Sequence, residues 1–251
     1  MMGHKRIELL GSVLDVLSME ETLARIERLI EARQPSQHIV INASKINLMA
    51  ENKELQTIVN NSPLVNADGQ SIVWAAQLLG YDVSERVTGI DLFEKLVAKA
   101  AEKGWRTYYF GATEEVVQEV VRIHQAKYPT LRVAGIRNGY FEDADSVKIA
   151  SEIKESQADI VFVAFSSPKK EIWVNAHKDL MQASFVMGVG GSFDVIAGKT
   201  KRAPKWMQKN GLEWFYRLVQ EPRRMFKRYA VGNIRFMKHV LAEKRKQKRS
   251  E

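Results

Sequence analysis

The chain has 251 residues, 45% of them hydrophobic and 27% charged, a length that allows one large domain or a domain with an appendage and a composition that excludes a disordered or collagen-like polymer. It has no cysteine, which excludes disulfides, cysteine-ligated zinc, iron–sulfur clusters and a thiol nucleophile. Residues 199–251 hold 17 Lys and Arg against four Glu, a net of +13, while residues 1–198 hold 21 basic against 26 acidic side chains, so the whole excess of +8 belongs to the tail and points to an anionic partner there.

At the start of the chain, Glu8 and Asp15 interrupt the stretch that a signal peptide would keep apolar. The longest apolar run before the tail, Ile160 to Phe165, is far short of the ~20 residues that cross a bilayer, so a cytoplasmic protein is expected. Short apolar runs then alternate with longer amphipathic stretches, the rhythm of parallel strands joined by crossover helices. In chain order the pattern predicts a helix over Met19 to Ala32, a strand near His38 to Asn42, a helix over Lys53 to Asn61 and a strand at Leu64 to Ala67. It continues with a helix over Ile90 to Lys103, a strand at Thr107 to Phe110, a helix over Thr113 to Lys127 and a strand at Arg132 to Ile136. A helix over Asp145 to Gln157, a strand at Asp159 to Ala164, a helix over Pro168 to His177 and a strand at Ser184 to Gly188 complete the series. From Ala203 the pattern is helix only, with Pro204 suited to a first turn and Pro222 to the start of another helix. The expected fold is α/β: a Rossmann-like, mostly parallel sheet flanked by helices over residues 1–198, followed by a basic, helical, membrane-associating appendage over residues 199–251.

In such a sheet ligands bind beyond the carboxyl ends of the strands. The residues there are Asn42, Asp68-Gly69, Gly111, the run Ser166-Ser167-Pro168-Lys169-Lys170-Glu171, and Gly188-Val189-Gly190-Gly191-Ser192-Phe193-Asp194. The glycine-rich run lacks the GxGxxG spacing of dinucleotide enzymes, and suits either a phosphate or a tight strand-to-helix turn. Asp68 reads equally as the cap of a helix through Ile72, Val73 and Trp74 or as a general base. Asp143-Ala144-Asp145 is a literal DxD, but its place at the head of a helix favours capping over a metal. The five histidines show no metal-ligand spacing. In the tail, Arg217, Glu221, Arg224 and Arg228 share a face if Pro222 only bends the helix. Trp206, Trp214, Phe215, Leu218, Met225, Phe226, Tyr229 and Phe236 supply an interfacial apolar surface, with Trp214 and Leu218 expected to pack on the body. No nucleic-acid-binding motif is present, and basic charge alone carries little specificity.

Several ordered motifs together resemble the WecG/TagA/CpsF family, glycosyltransferase family 26. They are Val40-Ile41-Asn42-Ala43, Ala67-Asp68-Gly69, Arg86-Val87-Thr88-Gly89-Ile90-Asp91-Leu92, Ser167-Pro168-Lys169-Lys170-Glu171, the run from Gly188 to Asp194, Lys201-Arg202-Ala203-Pro204-Lys205, and Leu212 to Leu218 followed by Glu221-Pro222. The resemblance implies an inverting, metal-independent transfer without a cofactor. A sugar, N-acetylmannosamine or a related hexose or uronic acid, would move from a UDP donor to a polyprenyl-diphosphate-linked sugar in wall or surface-polysaccharide synthesis. A UDP-glucose or other UDP-hexose donor is the alternative. The enzyme would sit peripherally on the inner face of the membrane, against an anionic surface, with no nucleic acid as partner and with a homo-oligomer as a candidate regulator of the tail's exposure.

By matching positions, the resemblance makes Asp68 the general base and places Asn42 and Arg86 on the acceptor and diphosphate side. It gives the nucleotide to the Gly190-Gly191 loop, and Arg217, Arg224 and Arg228 complete the site from the appendage. Gly111, Lys170 and Asp194, at strand ends, join the expected substrate-binding set. Two departures stand out: Val40 replaces a family threonine, and Lys170 replaces a family glutamine, adding a cation suited to a uronic acid or a diphosphate.

Overall fold

A computed structural model describes residues 5–226 and 231–250, apart from the side chains of residues 209, 224, 225 and 250. The chain opens with two short strands, β1 (Lys5–Leu9) and β2 (Ser12–Val16), which the sequence pattern did not predict. They form an antiparallel hairpin whose turn residues Leu10 and Gly11 both have positive φ, 53° and 74°, as a two-residue hairpin turn requires.

The main sheet has six strands: β3 (Ser36–Ile41), β4 (Leu64–Ala67), β5 (Arg106–Gly111), β6 (Arg132–Arg137), β7 (Ile160–Ala164) and β8 (Phe185–Gly188). Their order is β4-β3-β8-β7-β5-β6, and every pairing is parallel, so the expected "mostly parallel" sheet is wholly parallel. Both faces are covered, which explains the near-continuous apolar strands. Ile160 and Phe162 of β7 face one core, with Phe93, Val117 and Phe193, while Val161 and Val163 face another, with Ile149 and Val174.

The first of these cores is covered by α1 (Met19–Glu31), α5 (Gly89–Lys103), α6 (Glu114–Lys127) and α9 (Ser192–Ile196). On the other face lie α2 (Ala43–Glu51), α3 (Lys53–Asn60), α4 (Gln70–Leu78), α7 (Ser146–Glu155) and α8 (Lys169–Met181). Helix α2 was not among the predicted elements. Side-chain caps place several starts where the sequence put them: Thr113 accepts from the Val116 amide, and Ser18 and Glu21 form a capping box. Asp143–Asp145 is a single 3₁₀ turn in which Asp145 accepts from the Glu142 amide, so Asp145 serves local backbone structure.

The hairpin protects the edge strand β4. Arg6 grips Asp15 through two 2.7 Å hydrogen bonds, and Asp15 accepts from the β4 amide of Val65 at 2.7 Å.

The basic tail forms α10 (Lys205–Lys209), α11 (Glu213–Gln220), α12 (Pro222–Phe226) and α13 (Gly232–Ser250). Helix α13 packs on the body. Phe236 and Val240 of α13 are buried with Ile46, Met49 and Ile72, and Asn47 donates to the Gly232 carbonyl at 2.8 Å. No helix among the described residues is long and apolar enough to cross a membrane.

Candidate active site

The chain leaves β3 for the outer strand β4 and later brings β8 against the opposite side of β3, so a crevice opens beyond their carboxyl ends. Four of the predicted segments meet there. Asn42 ends β3 and caps α2, its Oδ1 accepting from the Lys45 amide at 3.1 Å. Asp68 ends β4 beside it, and a Cβ on the following Gly69 would lie 3.3 Å from the Asn42 Cβ.

Asp68 does not cap α4. Gly69 holds the N-cap position of that helix without a side-chain bond, and Asp68 instead accepts at Oδ1 from the amide of Gly89, the first residue of α5, at 2.7 Å. Its own amide donates to the Ile41 carbonyl at 3.0 Å. One carboxylate oxygen is thereby pinned, and the other makes no hydrogen bond among the described residues.

The loop after β8 passes Gly190, whose φ is +52° and around which space is open, to the exposed Gly191 and the short helix α9. Asp194 lines a cavity of about 400 Å³ with Lys199, Thr200, Gln220 and Glu221, so body and appendage share its wall. Gly111 ends β5 beside β7. It is buried with φ +132°, and a Cβ would come within 2.8 Å of the Ala164 backbone, so glycine is needed there for two strands to approach.

Lys170 is also not a cation at the rim. Its stem lies where a Cβ on Gly188 would be, and its ammonium is bound to Ser167 Oγ at 3.2 Å and Glu171 Oε1 at 3.0 Å. Glu171 is buried and receives Lys45 Nζ on the same oxygen at 2.5 Å, with Ser167 donating to it at 3.0 Å. Burial pushes the Glu171 carboxyl up, but the charges and hydrogen bonds of Lys45 and Lys170 outweigh it and hold the pKa at about 2. Burial, then the charge of Lys170, draws Lys45 down to about 8. Two ammonium groups thus share one carboxylate beneath the crevice and tie the first turn of α2 to the first turn of α8.

Arg86 is engaged by the appendage: Nη1 meets Glu213 Oε2 at 2.8 Å, and Nη2 donates to the Gln208 carbonyl at 2.5 Å. Arg202 reaches the same place, holding Asp91 through bonds of 2.6 and 2.8 Å and lying 3.5 Å from Glu213. Burial raises the Asp91 carboxyl, but Arg202 and the hydroxyl of Thr88 bring it below the usual range. Arg217, on α11, is exposed and makes no side-chain bond among the described residues.

Pro222 starts a new helix rather than bending one. Glu221 leaves helical geometry with φ −131° and ψ 62°, so Arg217 and Arg224 do not share a continuous face. The side chain of Arg224 and the whole of Arg228 lie outside the described residues, as do the Met225 side chain and Tyr229. Contrary to expectation Trp214 is exposed, and Phe236, expected on the interfacial surface, is buried.

The sequence reading gave no role to Lys45, Asp91, Glu171, Arg202 or Glu213. The last four lie inside the quoted motifs, but what pairs them is contact across 111 to 127 residues, which spacing does not reveal.

Comparison with known proteins agrees with this architecture. The sequence model of the WecG/TagA/CpsF glycosyltransferase family matches residues 7–250. Over 174 residues the chain is 33% identical to the N-acetylglucosaminyldiphosphoundecaprenol N-acetyl-beta-D-mannosaminyltransferase of Bacillus spizizenii, an overlap of 69% of this chain and 67% of the relative. It is 35% identical over 165 residues to the protein of that name from Bacillus subtilis, covering 66% of this chain and 64% of the relative. With the Staphylococcus aureus protein of the same name it shares 27% identity over 252 residues, covering 98% and 96%. The chain belongs to the WecG/TagA/CpsF family and is a glycosyltransferase.

Proposed function

We propose that the enzyme moves N-acetylmannosamine from a UDP donor to N-acetylglucosamine on a polyprenyl diphosphate at the inner membrane face, in cell-wall polysaccharide synthesis. The named relatives act on that acceptor type. The observation that carries the reading is Asp68, held through one oxygen by the Gly89 amide at the mouth of the crevice, next to Asn42. Lys170 is held by Ser167 and Glu171, so its ammonium is anchored by protein groups rather than free to follow a substrate.

In the proposed step the free oxygen of Asp68 accepts the proton of the acceptor hydroxyl as that oxygen attacks the anomeric carbon. The bond to UDP breaks on the opposite face, with inversion, and the departing diphosphate carries away the electron pair. Developing charge on the leaving group is met by positioned cations, without a metal or other cofactor, and Arg217 with Arg224 and Arg228 are its candidates. The cavity shared by Asp194 and the appendage supports placing the donor nucleotide on the Gly190-Gly191 side.

Exposed apolar residues of the appendage, Trp206, Phe215, Val219 and Phe226, alternate with its basic residues and support a peripheral seat on an anionic bilayer. A panel of UDP-sugars offered with a short-chain polyprenyl-diphosphate acceptor, with and without EDTA, tests the reading. Transfer from UDP-N-acetylmannosamine that survives EDTA is expected. Preference for UDP-glucose, or loss of activity on chelation restored by a divalent ion, would overturn it.

A further inference from the structure

The guanidinium of Arg86 is committed on both terminal nitrogens to the appendage, to the Glu213 carboxylate and the Gln208 carbonyl. Glu213 is the first residue of α11, the helix that carries Arg217 one turn later. Its other oxygen faces Arg202, which in turn holds Asp91 bidentately, and Asp91 is hydrogen-bonded to the hydroxyl of Thr88. Thr88 caps α5, and the first amide of α5, that of Gly89, pins Asp68. Ion pairs and hydrogen bonds, completed by the Thr88–Gly89 peptide, therefore join the base to the helix that carries the candidate diphosphate ligand. Arg86, Glu213 and Arg202 are each largely shielded, with 17, 20 and 24% of their side chains exposed, so removing one member leaves a partly desolvated charge without its partner.

We infer that Arg86, Glu213, Arg202 and Asp91 form a clasp that seats the appendage on the catalytic body, and that Arg86 acts in the reaction as a positioning residue through Glu213 rather than as a ligand of the substrate diphosphate. The inference deepens the proposed function, because it relies on the appendage arginines meeting the diphosphate. It predicts coupling. Once Glu213 is gone, Arg86 keeps only its bond to the Gln208 carbonyl and has little further to contribute.

The test is a double-mutant cycle with Arg86→Ala, Glu213→Ala and the combined variant, read in two ways. Hydrogen exchange over residues 201–220 reports seating without needing turnover, and kcat/KM on the lipid-linked acceptor reports the reaction. Each single variant and the double are expected to raise exchange over that segment alike, and to lower kcat/KM by about tenfold or more, with the double no worse than the singles. Arg86→Lys, which still presents a cation to Glu213, is expected to regain most of both. Glu213→Gln, a milder change, serves if Glu213→Ala does not fold.

A Glu213 variant with normal rate beside an inactive Arg86→Ala, or losses that multiply in the double, would overturn the clasp and return Arg86 to the substrate. If the wild-type chain moves no sugar, the transfer reading fails on its own. The exchange arm still decides the clasp, since unchanged protection in both single variants would refute it.

Discussion

The amide of Gly89 donates to Oδ1 of Asp68 at 2.7 Å, so the carboxylate that closes β4 is oriented by the first turn of a helix 21 residues further along. Asparagine at position 68 keeps a carbonyl oxygen for that bond but replaces the second oxygen with an NH2 group, losing the negative charge and the capacity to take a proton. Asp68→Asn is therefore expected to fold with an unchanged melting temperature and to bind UDP-sugar normally by calorimetry. Its turnover should fall by about 10²- to 10⁴-fold. A rate within a few-fold of wild type would remove Asp68 from the chemistry.

Beneath the crevice, the asymmetry of the Lys45–Glu171–Lys170 group makes its two ends unequal. Removing Lys45 leaves Glu171 with Lys170 and Ser167, whereas neutralising Glu171 leaves two ammonium groups facing each other with little solvent. Glu171→Gln should destabilise the fold by about 3–5 kcal/mol, the usual loss when one partner of a buried pair is removed. Lys45→Met should lose clearly less. Urea unfolding of the two variants measures the order directly, and the reverse order would mean that Lys170 does not hold Glu171 in solution.

How much of this was legible beforehand differs from element to element. The central strands of the main sheet announced themselves because both faces are buried, which makes Ile160 to Ala164 an uninterrupted apolar run between polar helices. The hairpin did not, since its five-residue strands mix exposed Lys5 and Glu8 with buried Ile7 and Leu9, and it is anchored by a contact between Asp15 and Val65 that spans 50 residues. Within the site, Asn42 and Asp68 could be found because strand ends are where ligands bind, a rule that needs only the sheet. Lys170 and Arg86 were visible as charges, but their pairing with Glu171 and Glu213 was not. Spacing identifies a charge; only the fold says who neutralises it.

His38 gives the structure a pH signature separate from that of its carboxylates. It lies buried in β3, its Nε2 donating to Asn66 at 3.0 Å while Asn66 donates to Thr22 at 3.1 Å. Burial lowers its pKa from 6.5 to about 4; the hydrogen bond to Asn66 opposes this, Lys45 adds to it, and Asp15 and Asp68 pull weakly the other way. The folded state thus stays neutral while the unfolded chain takes up a proton below about pH 6.5. Stability is full above that pH and falls as the pH drops toward 4, by about 3 kcal/mol in all. Glu171, with its pKa at about 2, adds its loss only below about pH 4.5. Melting temperature against pH should show the first decline, and the His38 ring protons in NMR should not titrate until near pH 4. Titration near 6.5 would contradict the burial.

The proposed membrane seat is best probed by side chains, because the appendage cannot be cut away cleanly. Phe236, Val240, Ala203 and Met207 are all buried, so ending the chain at Gly198 would strip a wall from the core as well as the proposed membrane contact. Phe215 and Phe226 are exposed, 47% and 65%, and their replacement leaves the packing of α13 on α2 intact. Each aromatic ring moved fully from water into an apolar phase is worth about 1.5–3 kcal/mol. Phe215→Ser and Phe226→Ser should therefore each weaken partition onto anionic vesicles by roughly 10- to 100-fold while the melting temperature holds. Phe236→Ala should do the opposite: it opens a cavity that costs about 3–5 kcal/mol of stability, and the molecules that remain folded bind vesicles as before. Co-sedimentation with vesicles beside thermal unfolding separates the two effects. Equal vesicle binding by all three variants would place the membrane contact elsewhere on the molecule.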